Sequence, residues 1–338
     1  MFEQLFQEFG KQHIAVVGDV MLDTYWLGHT DRISPEAPVP VVAIRDKESR
    51  IGGAGNVALN LASLGARVSI HTVTGADEEG LLLELMMKDR GIDTEGVWKS
   101  ANRMTTNKIR IISRSQHLLR LDKEMTNDLQ DDESKRFLLK TITLFEAKMP
   151  DVVIFEDYNK GVLTAEVIGG LLEYCHHKGI ITAVDPKRRN FFAYKGVTIF
   201  KPNLKEAREA LNFIDVRPTV ENLQTIHHLL HQQLGHKISF ITLSELGVFY
   251  QENGHGTILP AFVRNIADVS GAGDTVIAVA ALIYACTRDA RTMALVANLA
   301  GGLVCEEVGT VAIDANRLLN ECLQLLTDEA GAGGHADG

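Results

Sequence analysis

Five short apolar runs, at 14–17, 68–73, 152–155, 180–184 and 238–243, are rich in β-branched residues and lack the alternation of a half-exposed strand, as strands buried on both faces should. Between them, helical stretches with Gly-rich or polar starts fall near 54–64, 78–90, 131–147, 164–177 and 218–234. A repeated strand-then-helix order predicts an α/β fold, a doubly wound and mostly parallel sheet. After about residue 270 the pattern turns helical throughout, at 272–287, 291–306 and 314–327. The small and polar residues 331–338 predict a disordered tail. At the start, Phe2, Leu5, Phe6 and Phe9 among Glu and Gln predict an amphipathic helix and no signal peptide.

Two segments interrupt this order. Residues 39–44, and the pair 108–112 and 118–121 across a polar Ser113-Arg114-Ser115-Gln116 turn, predict antiparallel strands inserted at about 24–45 and 103–122. Crevices in open α/β sheets lie beyond the carboxyl ends of the strands, so a small β lid hinged there can close over a substrate. No internal repeat is evident.

Composition narrows the function classes. With 338 residues, 45% of them hydrophobic and 23% charged, the chain can bury a large core and is expected to form one main domain with an appendage. A formal net charge of −10 supplies no basic field for nucleic acid or an anionic membrane surface, which favours a small-molecule partner. The apolar run 276–286 falls short of the roughly 18 residues a membrane span needs, so a cytoplasmic location is expected. Cys175, Cys286, Cys305 and Cys322 have no C-x-x-C spacing and are expected to be small core residues.

The strongest local signal is Asp268-Val-Ser-Gly-Ala-Gly-Asp274-Thr275 ahead of an apolar helix. Gly271 and Gly273 let backbone amides of a first helical turn approach an anion, at the positive end of the helix dipole. Asp274 in that turn can accept a proton from an attacking hydroxyl. Taken alone, Gly-x-Gly-Asp is read equally well as a flexible turn with a capping Asp. Upstream, Gly53-Ala-Gly55-Asn-Val-Ala58 fits the dinucleotide pattern G-x-G-x-x-A, so a nicotinamide-dependent dehydrogenase is a rival. Its context argues against it: polar residues 45–50 separate these glycines from the preceding strand, and the next strand ends without a carboxylate. Walker A, H-R-D, D-F-G, H-E-x-x-H and G-x-S-x-G are absent.

Gly52-Gly-Ala-Gly-Asn56, Ser63-Leu-Gly-Ala66 and Thr74-Gly-Ala-Asp77 form one signature, and Asp268 to Thr275 a second. Asp185-Pro-Lys187 and Lys201-Pro-Asn-Leu-Lys-Glu206 stand between them. In this combination the chain resembles the ribokinase-like (PfkB) carbohydrate kinases over nearly its whole length, with residues 1–330 as the kinase domain. The resemblance implies that Asp274 is the catalytic base and that the amides of Gly271, Ala272 and Gly273 form the anion hole. It implies ATP contacts from Asn203, Leu204, Lys205, Glu206, Ser244, Gly247 and Asn298, with Glu206 organising Mg²⁺ through water and Asp268 near a monovalent cation such as K⁺. Asp19, Asp23, Gly53 and Asn56 are implied to bind sugar hydroxyls.

Within the family, Leu27 to Val42, together with Asp157-Tyr-Asn-Lys-Gly161, is similar to members that phosphorylate the anomeric hydroxyl of a heptose 7-phosphate. Many such relatives carry a fused nucleotidyltransferase, a second activity not expected here. A basic set, Lys108, Arg110, Arg120, Lys160, Lys187, Arg188 and Arg189, together with Asp157, is then expected near the sugar phosphate. A fructokinase- or ribokinase-like activity and a non-catalytic sugar-binding module remain as alternatives. In the family such lids pair across a two-fold axis, which implies a homodimer.

Overall fold

The computed structural model describes residues 2–114, 116–213 and 217–326; the expected tail at 331–338 lies outside the described residues. The chain opens with helix α1 (Phe2–Glu8) and strand β1 (His13–Gly18). It then leaves the main sheet as the hairpin β2 (Val20–Ile33) and β3 (Pro40–Gly53), and re-enters through α2 (Ala54–Ser63), β4 (Arg67–Gly75), α3 (Glu78–Asp89) and β5 (Asp93–Ser100). A second excursion, β6 (Asn107–Ser113) and β7 (Gln116–Lys123), precedes α4 (Asp131–Ala147), β8 (Val152–Glu156), α5 (Ala165–Lys178) and β9 (Ile181–Asp185). The two-residue β10 (Ile199–Phe200), α6 (Leu204–Leu211), α7 (Val220–Leu234) and β11 (Ile238–Thr242) follow. An edge hairpin, β12 (Val248–Glu252) and β13 (His255–Leu259), leads to α8 (Ala272–Thr287), α9 (Ala290–Val304) and α10 (Ala315–Leu325).

Among the described residues, nine strands form the main sheet in the order β13-β12-β11-β10-β9-β8-β1-β4-β5. It is parallel except for the edge hairpin. Helices cover both faces, which is why the central strands read as unbroken apolar runs. On β1, Ile14 and Val16 enter the core shared with α2, α8 and α9, while Ala15 and Val17 enter the core shared with α4, α5 and α7. Helix ends follow the local chemistry: Thr164 and Thr219 cap α5 and α7 through their hydroxyls, and Gly179 and Gly235 end them in the left-handed conformation.

The small sheet differs from expectation. It has four strands in the order β3-β2-β6-β7, with β2 and β3 much longer than the run at 39–44. Residues 45–50, expected as a polar connection, continue β3, because a strand exposed along one side tolerates charges that a buried strand excludes. Cross-strand partners share a face. Lys47, Trp26, Ile111 and Leu119 line one face, with Ile109 and Leu121 along it; Asp23, Tyr25, Lys108, Arg110, Arg120 and Asp122 line the other. The dinucleotide reading fails on topology, since the glycines follow β3 of the small sheet and not the first strand of a βαβ unit.

Candidate active site

Parallel registry sets up the site. Gly18, Glu156 and Asp185 are successive register partners at the carboxyl ends of β1, β8 and β9, and the backbone N–H of Lys201 donates to Val184 O one strand further on. Alternation turns Glu156 and Asp185 toward the α8 face of the sheet, where α8 begins. Gly271, at φ 77°, is the residue from which α8 starts; a Cβ there would lie 2.8 Å from Asn56 Nδ2 and 3.0 Å from Thr310 Cγ2. Asp274 sits in the first turn, 3% exposed. Its Oδ1 accepts from the Tyr158 hydroxyl at 2.7 Å and its Oδ2 from Asn56 Nδ2 at 2.8 Å. Burial raises the Asp274 carboxyl to about 6, with Asp185 adding to the rise, while the two donors and Lys201 oppose it. A carboxylate poised there can take a proton near neutral pH.

Around Asp274 lies a charged cluster. Lys201 Nζ pairs with Asp185 Oδ2 at 2.9 Å; Lys187 Nζ bridges Asp185 Oδ1 at 3.0 Å and Glu206 Oε1 at 2.9 Å. Although burial disfavours its charge, the carboxylates of Asp185, Glu206 and Glu156 raise the Lys187 pKa. Glu156 is fully buried with neither carboxylate oxygen hydrogen-bonded among the described residues; burial, with the nearby Asp185 and Asp274 adding to it, pushes its pKa well up. Two ammonium groups lie over the Tyr158 ring, Lys187 Nζ at 5.6 Å and Lys108 Nζ at 5.8 Å from its centre.

A cleft of about 530 Å³ runs from this cluster along α8. Asn203, Ser244, Gly247, Asn298 and Gly271 to Asp274 all line it, so residues far apart in sequence converge on one wall. Asn203 and Glu206 form a reciprocal capping box on α6: Asn203 Oδ1 accepts from Glu206 N and Glu206 Oε2 from Asn203 N, each at 2.8 Å. Gly247, at φ 94°, passes where a side chain would strike the backbone of Leu259 and Ala261. Asn298 Nδ2 donates to Pro260 O at 2.8 Å. Another cavity of about 540 Å³ borders Glu48, Arg50 and Arg90, but Asp274 and the cluster around it do not line it.

Several expected residues are placed otherwise. Asp19 accepts the backbone N–H groups of Tyr158, Lys160 and Val162, so it holds the 158–162 loop. Asp157 faces the opposite side of the sheet from Glu156 and accepts from Asn159 N, Asn190 Nδ2 and the Tyr194 hydroxyl. Leu204 packs against the core beneath α7, and Lys205 is exposed beside Glu209. Arg120 is exposed and paired with Asp122, Arg189 with Asp128, and Lys160 with Glu124, while Arg188 is exposed beyond the cleft. The Asp268 carboxylate accepts from Ser270 N, Ser270 Oγ and Gly309 N, which makes it a clamp between two loops. Asp23 is bound by Arg110 at 2.5 Å beneath the small sheet, and Gly52 leaves room for its carboxylate. Gly53 joins β3 to α2, and Asn56 reaches Asp274 from α2.

Sequence reasoning passed over Glu156, Tyr158, Asp185 and Lys201 as site residues. An acidic residue closing the unbroken apolar run 152–155 was the available signal for the first; the others needed the register between strands.

Comparison with known proteins agrees with this architecture. The profile of the pfkB family carbohydrate kinases matches residues 11–316. The bifunctional protein HldE of Magnetococcus marinus is 40% identical over 95% of this chain, and those of Caulobacter vibrioides and Geobacter sulfurreducens are 39% and 36% identical over 92%. The chain spans 65%, 63% and 63% of those relatives, a little under two thirds. Phosphofructokinase-2 from Escherichia coli in complex with potassium superposes with a TM-score of 0.77 at 17% identity, covering 94% of this chain and 99% of that one. Arabidopsis thaliana ribokinase complexed with ribose and ATP does so at 0.71 and 16%, covering 91% and 98%.

Proposed function

Because the chain belongs to the pfkB family of carbohydrate kinases, we propose that it transfers the γ-phosphoryl group of ATP to the anomeric hydroxyl of a heptose 7-phosphate, D-glycero-β-D-manno-heptose 7-phosphate, for the inner core of lipopolysaccharide. The observation that carries the transfer is Asp274, a buried carboxylate with raised pKa in the first turn of α8, beside amides that can receive developing phosphoryl charge. Asp274 takes the hydroxyl proton while Tyr158 and Asn56 hold its two oxygens in place.

Mg²⁺ fits the donor set. Asp185 Oδ1 and Glu206 Oε1 converge on one cation, the Lys187 ammonium, and a hard divalent ion needs only one or two such carboxylates when phosphate oxygens supply the rest. Among the described residues no group of three or more His, Cys, Asp or Glu is arranged to hold a metal alone, consistent with a cation that arrives with the nucleotide. When bound, it neutralises phosphate charge. The Asp268 carboxylate, already accepting three donors, is not assigned to K⁺.

The choice of a phosphorylated sugar rests on the 27–42 stretch and on the polar face of the small sheet. There Lys108 is half-buried, forms no ion pair among the described residues and lies over Tyr158, within reach of a distal phosphate. The other face, with Ile109, Ile111, Leu119 and Leu121, is the one a second copy of the chain would cover. Phosphorus NMR of the product formed from a panel of sugars and sugar phosphates tests the proposal. A 1,7-bisphosphate from heptose 7-phosphate supports it, and turnover restricted to neutral sugars refutes it. Among the described residues no helix is long and apolar enough to cross a membrane.

A further inference from the structure

The two carboxylates that suit a divalent cation already share a cation supplied by the chain. Lys187 Nζ contacts Asp185 Oδ1 and Glu206 Oε1, and each carboxylate's second oxygen is engaged elsewhere: Asp185 Oδ2 by Lys201, Glu206 Oε2 by the N–H of Asn203. Two ammonium groups thus balance two carboxylates before any ligand enters. The only carboxylate oxygens of this pair that converge are the two held by Lys187. A divalent ion and an ammonium cannot both occupy that position.

We infer that Lys187 is a resident stand-in for the divalent cation, filling the space between Asp185 and Glu206 in the empty enzyme and yielding it when metal and nucleotide arrive together. This rests on the kinase reading above. Lysine suits the part, since a compact charge on a four-carbon stem can swing between partners. A second position is near: Nζ already lies 5.6 Å from the ring of Tyr158, whose hydroxyl reaches Asp274, so a short rotation carries the charge toward the transferring phosphoryl group. Lys201 cannot do the same. It is 2% exposed, and its Nζ lies 3.8 Å from where a side chain on Gly273 would begin, so it stays on Asp185 when Lys187 leaves. Metal without nucleotide must displace the ammonium unaided, whereas metal with nucleotide brings phosphates that Lys187 can follow. Lys187 is therefore a positioning residue that orders the binding of metal and nucleotide.

The test is Mn²⁺ binding to the full chain by electron paramagnetic resonance, with no nucleotide and no sugar present. Lys187→Met removes the competing charge, and Mn²⁺ should bind at least about tenfold tighter than to the parent, as expected for loss of a like charge a few ångströms away in a partly buried site. Lys187→Arg keeps the charge and should bind as weakly as the parent. Adding Glu206→Gln to the Met variant should abolish the gain. A folded Met variant that binds Mn²⁺ no tighter than the parent overturns the inference. Lys187→Gln carries the same prediction should Met fail to fold; if neither neutral variant folds, the ammonium is a structural brace and the inference falls. A protein inactive on every sugar phosphate can still show the Mn²⁺ gain, so this result and the product assay fail independently.

Discussion

Removing one hydroxyl should move the pH profile of the proposed kinase in a stated direction. Tyr158→Phe deletes the donor that reaches Asp274 Oδ1 at 2.7 Å and leaves the ring, with Lys108 and Lys187 over it, in place. A hydrogen bond to an ionised group contributes about 1.5–3 kcal/mol, against about 1 kcal/mol for a neutral one, so the ionised form of Asp274 loses about 1–2 kcal/mol relative to the protonated form. At about 1.4 kcal/mol per pH unit, its pKa should rise by about one unit. The starting value is about 6. The base must be ionised to act, so activity falls as pH drops through this value and is flat above it. The acid limb of kcat/KM should therefore move from near pH 6 to near pH 7 or slightly above. At pH 7 the variant should be a few-fold slower than the parent and close to it at pH 8.5. Steady-state rates between pH 5 and 9, with ADP release coupled to a pH-tolerant readout, measure this. An acid limb that stays in place or moves to lower pH refutes the assignment of Asp274 as the titrating base held by Tyr158.

Asp274→Asn should lower kcat by about 10²–10⁴ with nucleotide affinity nearly unchanged, because the amide can still accept from Asn56 and donate to a turned Tyr158 hydroxyl; calorimetry and turnover together check this. Lys108→Met should raise KM for a sugar phosphate far more than for the matching unphosphorylated sugar, and equal effects on both would remove Lys108 from phosphate recognition. Burial lowers His71 to about 3, with its ring edge on Phe145 at 4.9 Å, so the folded state excludes the proton that the unfolded state binds near 6.5. The stability it contributes is complete above that value and is lost as pH falls, so lowering the pH from 7 to 5 should destabilise the parent by about 2 kcal/mol more than His71→Gln, as read by denaturant unfolding at each pH. Lysine at both Ile111 and Leu119, cross-strand partners on the apolar face of the small sheet, should monomerise the protein in light scattering if that face pairs two copies.

Much of the fold was legible because its central strands and helices bury their side chains in a way that periodicity records. The expected helix at 272–287 coincides with α8, and the buried runs at 14–17 and 152–155 lie inside β1 and β8. Other elements carried a signal that was passed over. Asn253-Gly254, at φ 50° and 82°, is the turn between β12 and β13, and Asn-Gly is among the strongest short hairpin cues. β2 and β10 offered little: the first is buried only in its initial residues, and the second is two residues long. For the site, Gly271 to Asp274 could be found locally, since an anion hole at a helix start is built from consecutive residues.

What the sequence determined by itself was therefore the α/β class, the family resemblance and the Asp274 turn, each encoded in contiguous residues or in a fixed period. Tertiary structure decided which of two adjacent acids joins the charged cluster beside Asp274, because the pleat sends Glu156 toward α8 and Asp157 to the opposite side of the sheet, where it meets Tyr194. It also decided that Asp19 serves the loop, and that Lys187 lies between Asp185 and Glu206. These outcomes depend on the register of strands joined by long crossovers, and no local pattern specifies which distant charge will end up within hydrogen-bonding reach.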